Sequence, residues 1–168
     1  YLKNYPLPST EVPGVIHSVC SLGHCLPFSV GYAYANRDKK VYVLISDGEV
    51  DEGTTWESSL FAAHHKLSNL IVIVDRNFLQ ACGKTEDILK LEPLRGKFKA
   101  FNWSVKRVNG HKIKEIDNAL KNWKSDKPKM LICDTIKGYP ISFMSAKTEW
   151  HYKNLSKSQI EIALNELG

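Results

Sequence analysis

Two oxygen-bearing side chains thirty positions apart, Asp47 and Asn77, mark the place where this chain can do chemistry. Asp47 stands in Ser46-Asp47-Gly48, directly after a short β-branched run (VYVLI, 41–45). Asn77 closes Asp75-Arg76-Asn77 after a second such run (LIVIV, 70–74). A carboxylate and an amide oxygen at the ends of two adjacent parallel strands can grip one hard cation, which prefers oxygen ligands and brings phosphate oxygens with it. Gly48 has no Cβ and lets the backbone pass close to a ligand, and the Leu79 backbone carbonyl offers a third protein oxygen. With two diphosphate oxygens and a water, these complete the octahedron that Mg²⁺ demands. Taken singly, Asp47 and Asn77 are ordinary turn residues bonding local backbone; their coupling across two strand ends points to a metal–diphosphate site.

The elements that must position them follow from the apolar pattern. Residues 1–14 carry three prolines and a glycine and are expected to form an extended arm or loop. A helix is expected over 22–36 with Ser21 as N-cap, then the strand at 41–45 and a helix over 52–66 with Trp56, Leu60 and Ala63 on one face. The second strand, 70–74, leads into an irregular stretch at 78–92 and a short helix at 94–100. A third strand is expected at 103–108, and Ile113, Ile116, Leu120 and Trp123 share one helical face. Pro128 introduces a fourth strand at 130–135, and a closing helix over 156–167 has Ser156 as its N-cap. Strands alternating with helices mean an α/β fold, a parallel sheet with helices on both faces. Right-handed crossovers put every strand C-terminus on one edge, where ligands of such sheets sit. Residues 15–168 are read as a single domain.

Bulk properties narrow the function classes. With 168 residues, 43% hydrophobic and 24% charged, the chain suits one globular domain. No apolar run is long enough to span a bilayer, and no signal peptide is visible, so no membrane association is expected. Cys20, Cys25, Cys82 and Cys133 are scattered without a CxxC, which fits a reduced, cytoplasmic protein. The net charge of +5 suits a phosphorylated small molecule as well as a nucleic acid. Its lysines do not interleave with aromatics, so no nucleic-acid partner is expected. His64 and His65 are placed mid-helix in a structural role, and Gly110-His111 in the turn before the next helix.

Ser46-Asp47-Gly48 through Asn77 resembles the thiamine-diphosphate signature, which begins Gly-Asp-Gly and ends in Asn. SLGH (21–24), DGEVDEGTTWE (47–57), AAHHKLSNL (62–70), VDRN (74–77), NGH (109–111) and IKGYPISFM (136–144) resemble transketolase, over nearly the whole chain. The resemblance implies the thiamine-diphosphate-binding fold, without the N-terminal part of the family domain and without the pyrimidine-binding and C-terminal domains, as in the N-terminal subunit of a split transketolase. It implies that Asp47, Asn77 and the Leu79 carbonyl hold the divalent metal (Mg²⁺, or Ca²⁺ or Mn²⁺ in its place) and that Gly48 contacts the diphosphate. The Cys20 backbone and the Leu22 side chain would lie against the cofactor rings. Glu52 would act at the subunit interface near paired active sites, with Glu57 supporting it, and His151 would reach the diphosphate and the reacting centre.

The implied reaction moves a two-carbon ketol unit from a ketose phosphate to an aldose phosphate. The glutamate that activates the cofactor pyrimidine comes from another domain, so the chain is expected to act with a pyrimidine-domain partner, as a homodimer or heterotetramer, and to be inactive alone. Four residues depart from the family pattern: Ser46, Cys20 and Cys25 stand where glycine is usual, and Tyr152 where glycine follows the histidine. Ser46, Cys20 and Cys25 favour the alternative of a non-catalytic homologue that serves as a binding or assembly partner.

Overall fold

The structure, a computed structural model, describes residues 9–168, so the first eight residues of the expected arm lie outside it. Residues rich in β-branching form four parallel strands: β1 (Val41–Ser46), β2 (Leu70–Arg76), β5 (Ser104–Asn109) and β6 (Lys129–Asp134). Between β2 and β5 a small antiparallel hairpin, β3 (Leu79–Gln80) and β4 (Gly83–Lys84), interrupts the stretch expected to be irregular. The sheet order is β1-β2-β6-β5, with Val43 opposite Val72 and Met130 opposite both Val72 and Val105. The two inner strands are buried almost throughout, without alternation, as strands covered on both faces must be.

The helices are α1 (Cys25–Ala35), α2 (Gly53–His64), the single turn α3 (Thr85–Ile88), α4 (Leu94–Ala100), α5 (Ile113–Leu120) and α6 (Lys157–Leu167). One face of the sheet takes α1, α2 and α4, which bury Leu26, Val30, Ala62 and Phe98 against Val43, Ile45, Val72, Val105 and Ile132. The other takes α5, where Ala119 packs on Leu131 and Cys133 with Ile116, Leu120 and Trp123 half-buried around them. The reversal of strand order between β5 and β6 explains the division, since right-handed crossovers running in opposite directions lie on opposite faces. Coverage by α5 stops short of β1, where Tyr42 is 55% and Leu44 69% exposed.

Four expectations are corrected. Helix α1 starts at Cys25 with His24 as N-cap, not after Ser21. Gly23 sits at φ +77, where a Cβ would come within 2.5 Å of Thr54 Oγ1, so this tight left-handed turn holds the helix off. Helix α2 buries Thr55, Ser58, Ser59 and Ala62 rather than Leu60, which is 58% exposed. Its hydroxyls make the contacts: Thr55 donates to the Glu49 carbonyl at 2.8 Å and Ser59 to the Thr55 carbonyl at 2.6 Å, while the Trp103 indole donates to the Ser59 carbonyl at 3.0 Å. Small side chains let α2 approach the sheet more closely than a leucine would allow. His64 closes α2 and His65 caps it, because Lys66 turns to φ +48, so neither is mid-helix. Ile113 opens α5 at 81% exposure and does not join the face of Ile116 and Leu120.

Candidate functional site

The C-terminal edge of the sheet is organised around one buried ion pair. After β1 the chain enters a 3₁₀ turn, Gly48–Asp51, and the Asp47 side chain is turned inward at 1% exposure. Its hydrogen bonds all fall on Oδ2: from Arg76 Nη1 at 2.9 Å, the Phe78 N–H at 2.8 Å and Thr85 Oγ1 at 3.2 Å. Phe78 directly follows Asn77 and holds φ +65, so the two residues singled out from the sequence meet within one position of each other. Arg76, at 0% exposure, also donates to Glu86 at 2.5 Å and Glu92 at 3.3 Å, and its guanidinium lies 4.0 Å from the Phe78 ring centre. Arg107 continues the network, 3.1 Å from the Glu92 carboxylate and 2.8 Å from Asp134 Oδ1. Burial pushes the Glu92 carboxyl up, but hydrogen bonds from Arg107, the Leu94 N–H and Arg76 outweigh it and leave the group below its usual range.

Asn77 is fixed by two partners: its Nδ2 donates to Asp75 Oδ2 at 3.2 Å and its Oδ1 accepts the Leu79 N–H at 3.0 Å. A carboxylate can only accept, so the amide oxygen must face the Leu79 side. Asp75 also accepts from the Thr135 hydroxyl, which ties the end of β2 to the end of β6. Gly48 lies under the hairpin: a Cβ there would stand 3.3 Å from Gln80 Cγ and Cδ. Gln80 in turn donates to Asp51 Oδ2 at 2.6 Å. The hydroxyl of Ser46 accepts the Glu49 N–H at 3.2 Å, turning into the 48–51 turn.

Two buried carboxylate oxygens of that turn, Glu49 Oε1 and Asp51 Oδ1, have no hydrogen-bond partner, and burial pushes both carboxyls up. The turn is short of positive charge, since Arg76 is already shared by three carboxylates. Asp47 Oδ1, Asn77 Oδ1 and the Leu79 carbonyl are hard oxygens, a donor set suited to Mg²⁺ or Ca²⁺. No group of three His, Cys, Asp or Glu side chains able to hold a metal occurs among the described residues, so such an ion would need further oxygens from its ligand.

The remaining candidates line the same edge but are open to solvent. Cys20 is exposed and Leu22 is 48% exposed. Their turn is pinned to the start of α2, where Thr54 Oγ1 donates to the Gly23 carbonyl at 2.6 Å, beside the exposed Glu52. Glu57 lies exposed farther along α2. His151 ends a 3₁₀ turn, Thr148–His151, that packs beside β3, and is exposed with its ring 4.5 Å from that of Tyr152. Partial desolvation and the Lys137 ammonium shift its imidazole below the usual range. His111 does more than form a turn: its Nε2 accepts the Ile136 N–H at 2.8 Å and fixes the start of the loop leading to His151. Arg76, Thr85 and Gln80 escaped the sequence reading. An arginine ending an otherwise apolar strand was the available signal, because a charge there has to be paired.

Fold and site together define an α/β ligand-binding domain whose polar centre lies at the strand C-termini. Residues 30–168 match the family described as transketolase, thiamine diphosphate binding domain, and the chain belongs to that family. Over 162 residues it is 42% identical to an apulose-4-phosphate transketolase subunit of Actinobacillus succinogenes, covering 94% of this chain and 59% of the relative. It is 37% identical over 160 residues to a 6-deoxy-6-sulfo-D-fructose transketolase subunit of a Clostridium species, covering 92% of this chain and 58% of that one. Human transketolase is 33% identical over 171 residues, 99% of this chain but 27% of the human protein. Among solved structures, the Campylobacter jejuni transketolase matches with a TM-score of 0.76 and 28% identity, over 86% of this chain and 24% of that one. The chain thus spans little more than half the length of the subunit-type relatives it matches. No helix among the described residues is long and apolar enough to cross a membrane.

Proposed function

We propose that this chain is the diphosphate- and metal-binding part of a transketolase, moving a two-carbon ketol unit from a ketose phosphate to an aldose phosphate in the cytoplasm. The observation that carries this is the anchoring of Asp47: three donors, one of them the N–H of Phe78 next to Asn77, hold Oδ2, so Oδ1 is the oxygen left for a divalent ion. In this reading Asp47, Asn77 and the Leu79 carbonyl hold Mg²⁺, and Gly48 contacts the diphosphate. When bound, thiamine diphosphate supplies the carbanion chemistry. The chain's own residues position it: the Cys20 backbone and Leu22 flank its rings, and His151 stands ready to hold or move a proton near the diphosphate. Glu52, with Glu57 behind it, acts where a pyrimidine-domain partner docks, in a homodimer or heterotetramer. The relatives named as transketolase subunits support the need for a partner.

The test is ketol transfer between sugar phosphates, assayed with Mg²⁺ and thiamine diphosphate for the chain alone and with a pyrimidine-domain subunit. No turnover alone and turnover with the partner are expected; turnover by the isolated chain would refute the division of labour. A non-catalytic binding partner is the second reading. It is favoured by Ser46, whose hydroxyl takes the Glu49 N–H at 3.2 Å where the family signature has glycine. Cofactor binding with the partner present, but without turnover, would select it.

A further inference from the structure

A polar cavity lies at the edge of the sheet opposite Asp47, where the strands begin. By strand rise it is about 20 Å from Asp47 and Asn77. The cavity has a volume of about 300 Å³, and its walls include Lys40, Lys124 and Lys129, with Asn122, Tyr42 and Trp123 completing much of the rim. No carboxylate lines it. Lys129 opens β6 and is only 7% exposed. Its ammonium donates to the Ser68 carbonyl, one bond for a group with three protons to give. None of these three lysines is in an ion pair among the described residues, although Lys112, Lys121 and Lys153 are.

A buried ammonium is expensive unless something of opposite charge meets it. Here burial and then the Lys40 charge push the Lys129 ammonium below the usual lysine range. The wall is firmly built. Trp123 Nε1 donates to Ser104 Oγ at 2.9 Å, and Lys106 Nζ sits 4.5 Å over the indole ring, so the rim aromatic cannot swing in to fill the space.

We propose that this cavity is an anion site for inorganic phosphate or a small phosphate monoester, centred on Lys129 with Lys40 and Lys124 as flanking cations. Three ammoniums around one concavity match the several oxygens of a phosphate, and charge-assisted hydrogen bonds of this kind are the strong ones. The small volume of this half-open concavity suits a compact anion. The site shares no residue with the Asp47 cluster and stands or falls separately from the proposed cofactor role.

The test is a titration of the full chain with inorganic phosphate, in EDTA so that no divalent ion occupies the other edge. It is followed by amide NMR shifts and calorimetry against chloride at equal ionic strength. Saturable shifts at Ser68, Asn122, Lys124 and Lys129 with one Kd are expected, and Lys129→Met should raise that Kd at least about tenfold. Should Lys129→Met not fold, Lys124→Gln, on an exposed residue, is expected to weaken binding about threefold. Shifts spread over all surface lysines without saturation, a response equal to that of chloride, or unchanged affinity in the variants would each overturn the site and leave Lys129 as a lysine solvated by cavity water.

Discussion

The two ends of the candidate site are built differently. At the Asp47 end, the central pair is tied to several other parts of the chain, although Glu49 Oε1 and Asp51 Oδ1 in the adjoining turn stay unpaired: Asp47 and Arg76 are 1% and 0% exposed, and their partners come from β2, the hairpin region and the turn before α4. At the Leu22 end, Cys20, Leu22, Glu52 and His151 stand on turns that are themselves well anchored, yet their side chains face solvent. Geometry that a single chain can hold by its own hydrogen bonds is therefore concentrated where a metal and a diphosphate would sit. The part that would meet the cofactor rings and a second subunit is left uncovered. A buried polar network gains rigidity only when fully paired, whereas an exposed Leu22 costs little until a partner covers it.

Breaking the buried end should have the largest effect. Arg76→Met leaves Asp47, Glu86 and Glu92 clustered without their shared cation, and denaturant unfolding should show a loss of about 3–5 kcal/mol. Arg76→Lys should not restore it, because a single ammonium cannot serve three carboxylates in the fork geometry of a guanidinium. Stability unchanged by either variant would remove the distinction between the two ends.

Next comes Glu92, whose folded-state pKa is lowered. A depressed carboxylate stabilises fully above its unfolded value, about 4.3, and that contribution is lost as pH falls through the folded value. Glu92→Gln should cost about 1.5–3 kcal/mol at pH 7, and the wild-type advantage should vanish in acid; an equal difference at both pH values would contradict it.

Glu49 has the opposite sign. Its folded-state pKa is raised by burial, so above that value the ionised group costs the fold, and below about pH 4.3 it is neutral in both states and costs nothing. Glu49→Gln should raise stability by about 1 kcal/mol at pH 7 and leave it unchanged in acid; thermal unfolding at the two pH values reads this directly. The smallest effect belongs to the open end. Glu52→Gln and Leu22→Ala should change stability by less than about 0.5 kcal/mol, while lowering ketol transfer in the presence of a partner subunit. A large loss of stability would show that the open end is also structural.

Much of the fold was legible because local rules and tertiary packing agree. The short helix at 94–100 appears as α4, and Ser156 caps α6 as expected, through a reciprocal capping box with Gln159. The four strands follow from apolar runs, though β2 extends to Arg76, beyond the apolar stretch, because Arg76 stays in register with Asp134. The errors arise where distant residues decide. Thr54, thirty-one positions away, sets the start of α1 through Gly23. The hydroxyl face of α2 carries no hydrophobic periodicity and is chosen by its bonds to Glu49 and Trp103. In the site, Asp47 and Asn77 were visible as types and spacing. The arginine, threonine and glutamates that hold Asp47 in place were not, because their roles exist only once β2, the hairpin and the turn before α4 are folded together.

The most direct measurement is a calorimetric titration of thiamine diphosphate into the chain and its Asp47→Asn variant, with Mg²⁺ and with EDTA. Metal-dependent binding to the wild type is expected, weakened at least about a hundredfold in the variant, which corresponds to roughly 2.7 kcal/mol. Binding that ignores both the metal and the substitution, or no binding in any condition even with a pyrimidine-domain subunit present, would contradict a metal–diphosphate site at Asp47 and Asn77.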